Sequence, residues 1–233
     1  MNRINYSLGQ LEKDSASRTQ IREHLALIKN KYFISGCSVL EVGCGLGENL
    51  CIFNKDNQVL GVEGLPDVVD EARRRGLKVV YGNLEKKLEL EDSSFDWVIC
   101  IDVLEHLIDP LGLLLEIRRV LNKKGRVIIN VPNHLNLTGR IKLFLGSDLD
   151  VHSFFPGYNE WDNPHIRFFT YNGIKNLLSE AGYNILEDFS FEYPQIPMGK
   201  VLRRCGLLGF FGGMVKLKPS LFAGGFFILA GRI

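Results

Sequence analysis

The chain has 233 residues, 45% of them apolar, which fits one large domain or a domain with an appended subdomain. Its 28 Lys and Arg against 27 Asp and Glu leave a formal charge of +1, so there is no basic footprint for nucleic acid. Cys37, Cys44, Cys51, Cys100 and Cys205 form an odd set without a C-x-x-C pair and read as reduced thiols. The polar start MNRINYSLGQLEKD has no apolar stretch of the kind an export signal needs, so a cytoplasmic protein is expected.

Residues 15–31 place Ile21, Leu25 and Ile28 at helical spacing, which predicts an amphipathic helix with His24 as a surface or packing residue. Residues 39–42 are the first β-prone run. They lead into VLEVGCGLGENL, where Gly43, Gly45 and Gly47 allow positive φ and let a ligand lie against backbone N–H groups at a helix N-terminus. A second strand over 58–62 ends at Glu63. Pro66 then opens a helix, with Asp67, Asp70 and Glu71 at its positive end and Arg73, Arg74, Arg75 and Gly76 at its close. Strands over 78–81 and 95–101 are followed by Asn83 and Asp102. A helix over 110–121 stops at Lys123-Lys124-Gly125, and a fifth strand covers 126–131. The apolar runs WVICI and VIINV suit strands covered on both faces, so the alternation predicts a doubly wound, mostly parallel α/β sheet.

Residues 133–169 break the alternation with an insertion rich in aromatics: Phe144, Phe154, Phe155, Tyr158, Trp161, Phe168 and Phe169. Connections of that length in compact domains are usually lids or small subdomains. Thr170 is expected to cap a helix reaching about Gly182, and runs over 185–191 and 226–232 to pair as an edge hairpin. Residues 194–224, which hold Lys200, Arg203 and Arg204, have no assigned place. The apolar pieces 205–215 and 219–231 are interrupted by Lys216 and Lys218. Each is shorter than the ~20 residues of a spanning helix, which leaves peripheral membrane contact as the remaining option.

The Gly-x-Gly-x-Gly spacing is one residue tighter than the Gly-x-Gly-x-x-Gly of dinucleotide sites, which counts against a nicotinamide-dependent oxidoreductase. The glycine turn, Glu63, Asn83 and Asp102 each fall at the carboxyl end of a predicted strand, where open α/β sheets bind ligands. On the motifs VLEVGCGLG, GVEGLP and SSFDWVICIDVLEHLIDP, residues 36–132 resemble the class I S-adenosylmethionine-dependent methyltransferases, including bacterial members associated with surface-glycan modification. The resemblance implies a Rossmann-like seven-stranded sheet and S-adenosylmethionine as cofactor. It implies that Gly43, Cys44, Gly45 and Gly47 line the methionine part and that Glu63 with Gly64 holds the ribose. Glu41 would orient the methionyl ammonium through water, with Asp102 facing the same group. Asn83 stands where many members have an Asp facing the adenine amine, and Leu84 would offer its N–H to the ring. On the residues alone, Glu41 equally caps backbone groups in the turn, and Cys44 is a small filler.

A sulfonium carries its methyl group already activated, so the protein has mainly to align donor and acceptor and exclude water. No metal is expected: no His, Cys or Asp cluster has ligand spacing, and no Gly-x-Ser-x-Gly elbow or Walker run occurs. Hydroxyl and amine acceptors lose a proton, and the candidate bases are His165 in NPHIRFFT, then His134 in VPNH, then His106 in LEHL, with His152 undirected. The expected organisation is a helical cap over 1–35, a cofactor core over 36–132, an acceptor lid over 133–169 and a C-terminal part over 170–233. The expected function is methyl transfer to a hydroxyl or amine of a small or glycan-linked acceptor. A quinone or lipid-like acceptor, or a non-catalytic S-adenosylmethionine-binding protein, are the alternatives. No feature of the sequence sets an oligomeric state.

Overall fold

The computed structural model describes residues 19–146, 165–190 and 208–233. Two compact units are present. One holds the described residues up to Cys100 with Gly112–Val127 and Arg232; the other holds Ile101–Leu111, the described residues of Ile128–Gly231, and Ile233. Seven strands form one sheet: β1 (Ser38–Val42), β2 (Gln58–Glu63), β3 (Val79–Tyr81), β4 (Phe95–Ile101), β5 (Leu121–Pro132), β6 (Tyr183–Asp188) and β7 (Gly225–Arg232). Their order is β3-β2-β1-β4-β5-β7-β6.

The first unit carries the parallel part. β1 runs parallel to β2 and to β4, with Val42 level with Val62 and Cys100, and β2 runs parallel to β3 with Glu63 level with Tyr81. Val39, Leu40 and Val42 are all buried because the strand is covered on both faces. The strand order reverses direction between β1 and β4, the switch point at which such sheets bind ligands. Asp96 fastens the opposite end, accepting the Ser38 N–H and hydroxyl at 2.9 Å each and the Asn122 amide at 2.7 Å.

Helices follow from their patterns. α1 (Thr19–Lys31) buries Ile21, His24, Leu25 and Ile28 along one stripe, and the His24 imidazole Nδ1 meets the Gln20 carbonyl at 2.8 Å. A short α2 (Leu50–Asn54) follows the glycine turn. α3 (Pro66–Arg74) has Pro66 at its start, Asp67 in the first turn and Gly76 at φ +84° beyond its end, as its sequence predicts. α4 (Pro110–Val120) buries Leu113, Leu114, Ile117 and Val120. Arg119 on α4 binds Glu116, Asp92 and the carbonyls of Leu88 and Leu90, which ties the loop before β4 to the helix.

Several expectations need correction. The strand expected from 126 begins at Leu121, directly after α4, so Lys123-Lys124-Gly125 does not separate helix from strand. Close folding there is accommodated at Gly125, where a Cβ would stand 2.9 Å from the Asn122 carbonyl oxygen. β6 and β7 pair antiparallel, since Phe189 N–H reaches the Phe227 carbonyl while Ile233 N–H reaches that of Gly182, so the sheet is mixed. They pair at the sheet edge as expected, with β6 outermost, although a long connection and not a tight turn joins them. β7 lies between β5 and β6 and is buried from Gly225 to Gly231.

In the second unit, α5 (Leu137–Phe144) starts at Asn136, whose side chain accepts the Gly139 N–H. α6 (Tyr171–Glu180) is capped by Thr170 as predicted, its hydroxyl accepting the Gly173 N–H at 3.0 Å, and the Tyr171 hydroxyl donates to Asp188 on β6 at 2.6 Å. Residues 208–224, left without a place by sequence, form α7 (Leu208–Leu217) and α8 (Pro219–Phe222). Of the insertion's aromatics, Phe154, Phe155, Tyr158 and Trp161 lie outside the described residues, as do His152, Lys200, Arg203, Arg204 and Cys205. Among the described ones no aromatic cluster forms: Phe144 is 90% exposed, and Phe168 packs edge-on to the His134 ring. Among the described residues no helix is long and apolar enough to cross a membrane.

Candidate functional site

In the first unit the site is built around the turn after β1. Gly43, Gly45 and Gly47 have φ of +66°, +54° and +80°, the left-handed region that a Cβ disfavours. The requirements at Gly45 and Gly47 differ. A Cβ on Gly47 would fall 2.1 Å from Leu77 Cδ1, whereas one on Gly45 would enter open space. Gly47 therefore serves packing, and Gly45 leaves a face of the turn open. Gly43 and Cys44 both donate their N–H to the Val62 carbonyl, which anchors the turn on β2.

The two acids beside the turn both accept hydrogen bonds from neighbouring groups. Glu63 accepts the Gly45 N–H at 2.9 Å through Oε2 and the Leu65 N–H at 3.0 Å through Oε1. Glu41 is buried and accepts the Asn49 side-chain amide at 2.8 Å. Sequence reasoning offered Glu41 two partners, the ammonium or the turn's backbone, and missed Asn49, eight residues on. Cys44 is buried against Gly61, and burial, with Glu41 and Glu63 nearby, pushes its thiol far above its ordinary range. It stays protonated and fills space. Gly64 and Leu84 are half-buried at the same end of the sheet. Asn83 is exposed, and its side-chain oxygen accepts the Glu85 N–H at 2.9 Å. An open glycine face, a carboxylate beside it and an amide beyond β3 fit the parts of S-adenosylmethionine.

In the second unit Asp102 follows β4 with φ +53°. It is fixed from both ends by Asn130, whose carbonyl accepts the Asp102 N–H at 3.0 Å and whose amide donates to Oδ1 at 2.6 Å. Asn130 on β5 was missed because the pair is 28 residues apart in sequence.

The three histidines ranked as bases come together in this unit. The His134 and His165 rings meet at 2.8 Å, Nε2 to Nδ1, and the His106 ring centre lies 4.7 Å from that of His165. Glu105, which sequence reasoning passed over, completes the group. It is fully buried in the 3₁₀ turn Leu104–His106, and its Oε1 lies 3.8 Å from His165 Nε2. Its backbone carbonyl accepts the N–H of Ile166 and of Arg167, and the Arg167 guanidinium binds the carbonyls of Leu107 and Ile108. These bonds stitch the His165 segment to the turn. Burial pulls the His134 imidazole down to about 4, against a hydrogen bond to the Pro132 backbone. At neutral pH its ring is uncharged, which suits holding His165 in place better than taking up a proton.

Residues 40–129 match the family described as a methyltransferase domain. A Mycolicibacterium smegmatis protein described as a "probable S-adenosylmethionine-dependent methyltransferase" is 30% identical over 155 residues, 65% of this chain and 53% of its own length. A ubiquinone biosynthesis O-methyltransferase of Xanthomonas oryzae is 31% identical over 109 residues, 43% of this chain and 45% of its own. The chain spans between 32% and 66% of the length of the first curated relatives it matches. In fold it is similar to a crystal structure from Thermotoga maritima, a methyltransferase described as a "possible histamine N-methyltransferase", with a TM-score of 0.62 at 18% identity over 96% of this chain and 97% of that one. Over residues 40–129 the chain thus matches a methyltransferase domain, and over about two thirds of its length it is similar to proteins described as probable S-adenosylmethionine-dependent methyltransferases.

Proposed function

We propose that the whole chain transfers a methyl group from S-adenosylmethionine to a hydroxyl or amine of a small or glycan-linked acceptor. The observation that carries the reading is the glycine turn with one open face at Gly45, held by Glu63. When bound, S-adenosylmethionine supplies a methyl group already activated as a sulfonium. In this reading Gly43, Cys44 and Gly45 receive its methionine part with Gly47 packing the turn behind them, Glu63 and Gly64 the ribose, and Asn83 and Leu84 the adenine, while Glu41 and Asp102 serve the ammonium end. The group of Glu105, His106 and His165 withdraws the acceptor's proton, and His134 positions His165. Calorimetry with S-adenosylmethionine tests the cofactor half; no binding by the purified chain overturns it. Transfer of tritiated methyl to a water-soluble small-molecule or glycan fraction tests the acceptor half.

A quinone or lipid-like acceptor is the second reading. It draws on the Xanthomonas relative and on α5, which buries no residue and exposes Ile141, Leu143 and Phe144. Label appearing in the lipid-extractable fraction instead would favour it.

A further inference from the structure

We propose that Glu105, His106 and His165 form a binding site for a divalent transition-metal ion, with His134 as the partner that orients His165. One carboxylate oxygen and two ring nitrogens of these residues all lie within 4.8 Å of one another, with Glu105 and His165 buried and His106 half-buried. Donors bound at about 2.1 Å in a tetrahedral site stand roughly 3.4 Å apart, so side-chain shifts of under ~1 Å close the spread. Two imidazoles and a carboxylate are a donor set that zinc, cobalt and iron accept, and three protein ligands leave positions open for another oxygen or nitrogen.

Three further features of the geometry favour an ion. A ligating His almost always gives its second ring N–H to an acceptor. His165 has that arrangement: Nδ1 lies 2.8 Å from His134 Nε2, and Nε2 faces Glu105. An ion on His165 Nε2 requires Nδ1–H to donate to His134 Nε2, a tautomer that the 2.8 Å contact accommodates. Second, a buried carboxylate such as Glu105 is stable beside positive charge, which a divalent ion supplies independently of pH. Third, the ligands are held by main-chain bonds from Glu105 to Ile166 and Arg167, so little ordering accompanies binding.

A coordinated hydroxyl loses its proton more readily than a free one. That use of the ion rests on the methyl-transfer reading above, and with the ion in place His165 holds the metal and not the proton. The binding itself does not depend on that reading.

Co2+ added to the chelator-treated full chain is the probe. The expected result is saturable uptake of one ion per chain with visible ligand-field bands and no thiolate charge-transfer band. His106→Ala, the change at the least buried ligand, should weaken it by about 100-fold or more with the melting temperature retained. His134→Phe should weaken it by about 10–100-fold, the range for an outer partner. Absence of saturable binding, a thiolate band, or affinity unchanged in His106→Ala overturns the proposal. S-adenosylmethionine binding, titrated alongside, reports on the reaction and stands or falls separately.

Discussion

Glu63 on β2 and Gly45 in the turn after β1 are joined by a 2.9 Å hydrogen bond from the Gly45 N–H to the Glu63 carboxylate. The acid that closes one strand thus shapes the loop that closes its neighbour. Glu63→Ala leaves the Gly45 and Leu65 N–H groups without this acceptor. The expected outcome is a loss of about 1–3 kcal/mol in urea unfolding, with S-adenosylmethionine affinity falling at least about tenfold in calorimetry. Glu63→Gln, which keeps one acceptor oxygen, should retain most of the stability and less of the affinity.

Gly45 and Gly47 separate ligand space from packing. Gly47→Ala meets Leu77 and a positive φ together, so it should lower stability by about 2–4 kcal/mol. Gly45→Ala meets open space and bears only the conformational cost, about 1–2 kcal/mol, while its methyl enters the proposed cofactor face. Paired denaturation and calorimetry should therefore show opposite rankings for the two variants.

His165→Ala should lower turnover by at least about 100-fold while S-adenosylmethionine affinity stays within about twofold, because His165 acts on the acceptor side, on its proton or through the proposed ion, and not on cofactor binding. Equal losses in single-turnover rate and in cofactor titration would contradict this assignment.

Glu116 gives the pH dependence. Its hydrogen bond with Arg119 holds its carboxyl below the ordinary 4.5, with the Leu88 N–H adding to the effect against burial. A depressed carboxyl stabilises the fold fully above its unfolded value and loses that contribution as pH falls through the folded one. Glu116→Gln should therefore cost on the order of 1 kcal/mol at pH 7, and the gap from wild type should close below about pH 4 in thermal melts.

Local features were the legible ones. The Pro66 start and Gly76 end of α3, the Thr170 cap of α6 and the positive φ of the three turn glycines follow from a few adjacent residues, and the structure has each as read. Pairings across the sheet were not legible. Asn49 with Glu41, Asn130 with Asp102, and Glu105 with His165 depend on which strands and turns become neighbours, and no spacing rule encodes that. The same reason hid the metal-ligand group, whose donors come from the turn after β4 and from the segment before α6. It also hid the insertion of β7 between β5 and β6.

The stitching of residues 166 and 167 to the Glu105 carbonyl uses peptide groups alone. Such a clamp is indifferent to side-chain exchange at position 166 short of proline, which would delete a donor. The distance between His165 and Glu105 is thereby insulated from drift in the surrounding surface, and relatives could vary Ile166 and Phe168, both exposed, to suit different acceptors without moving the group beneath.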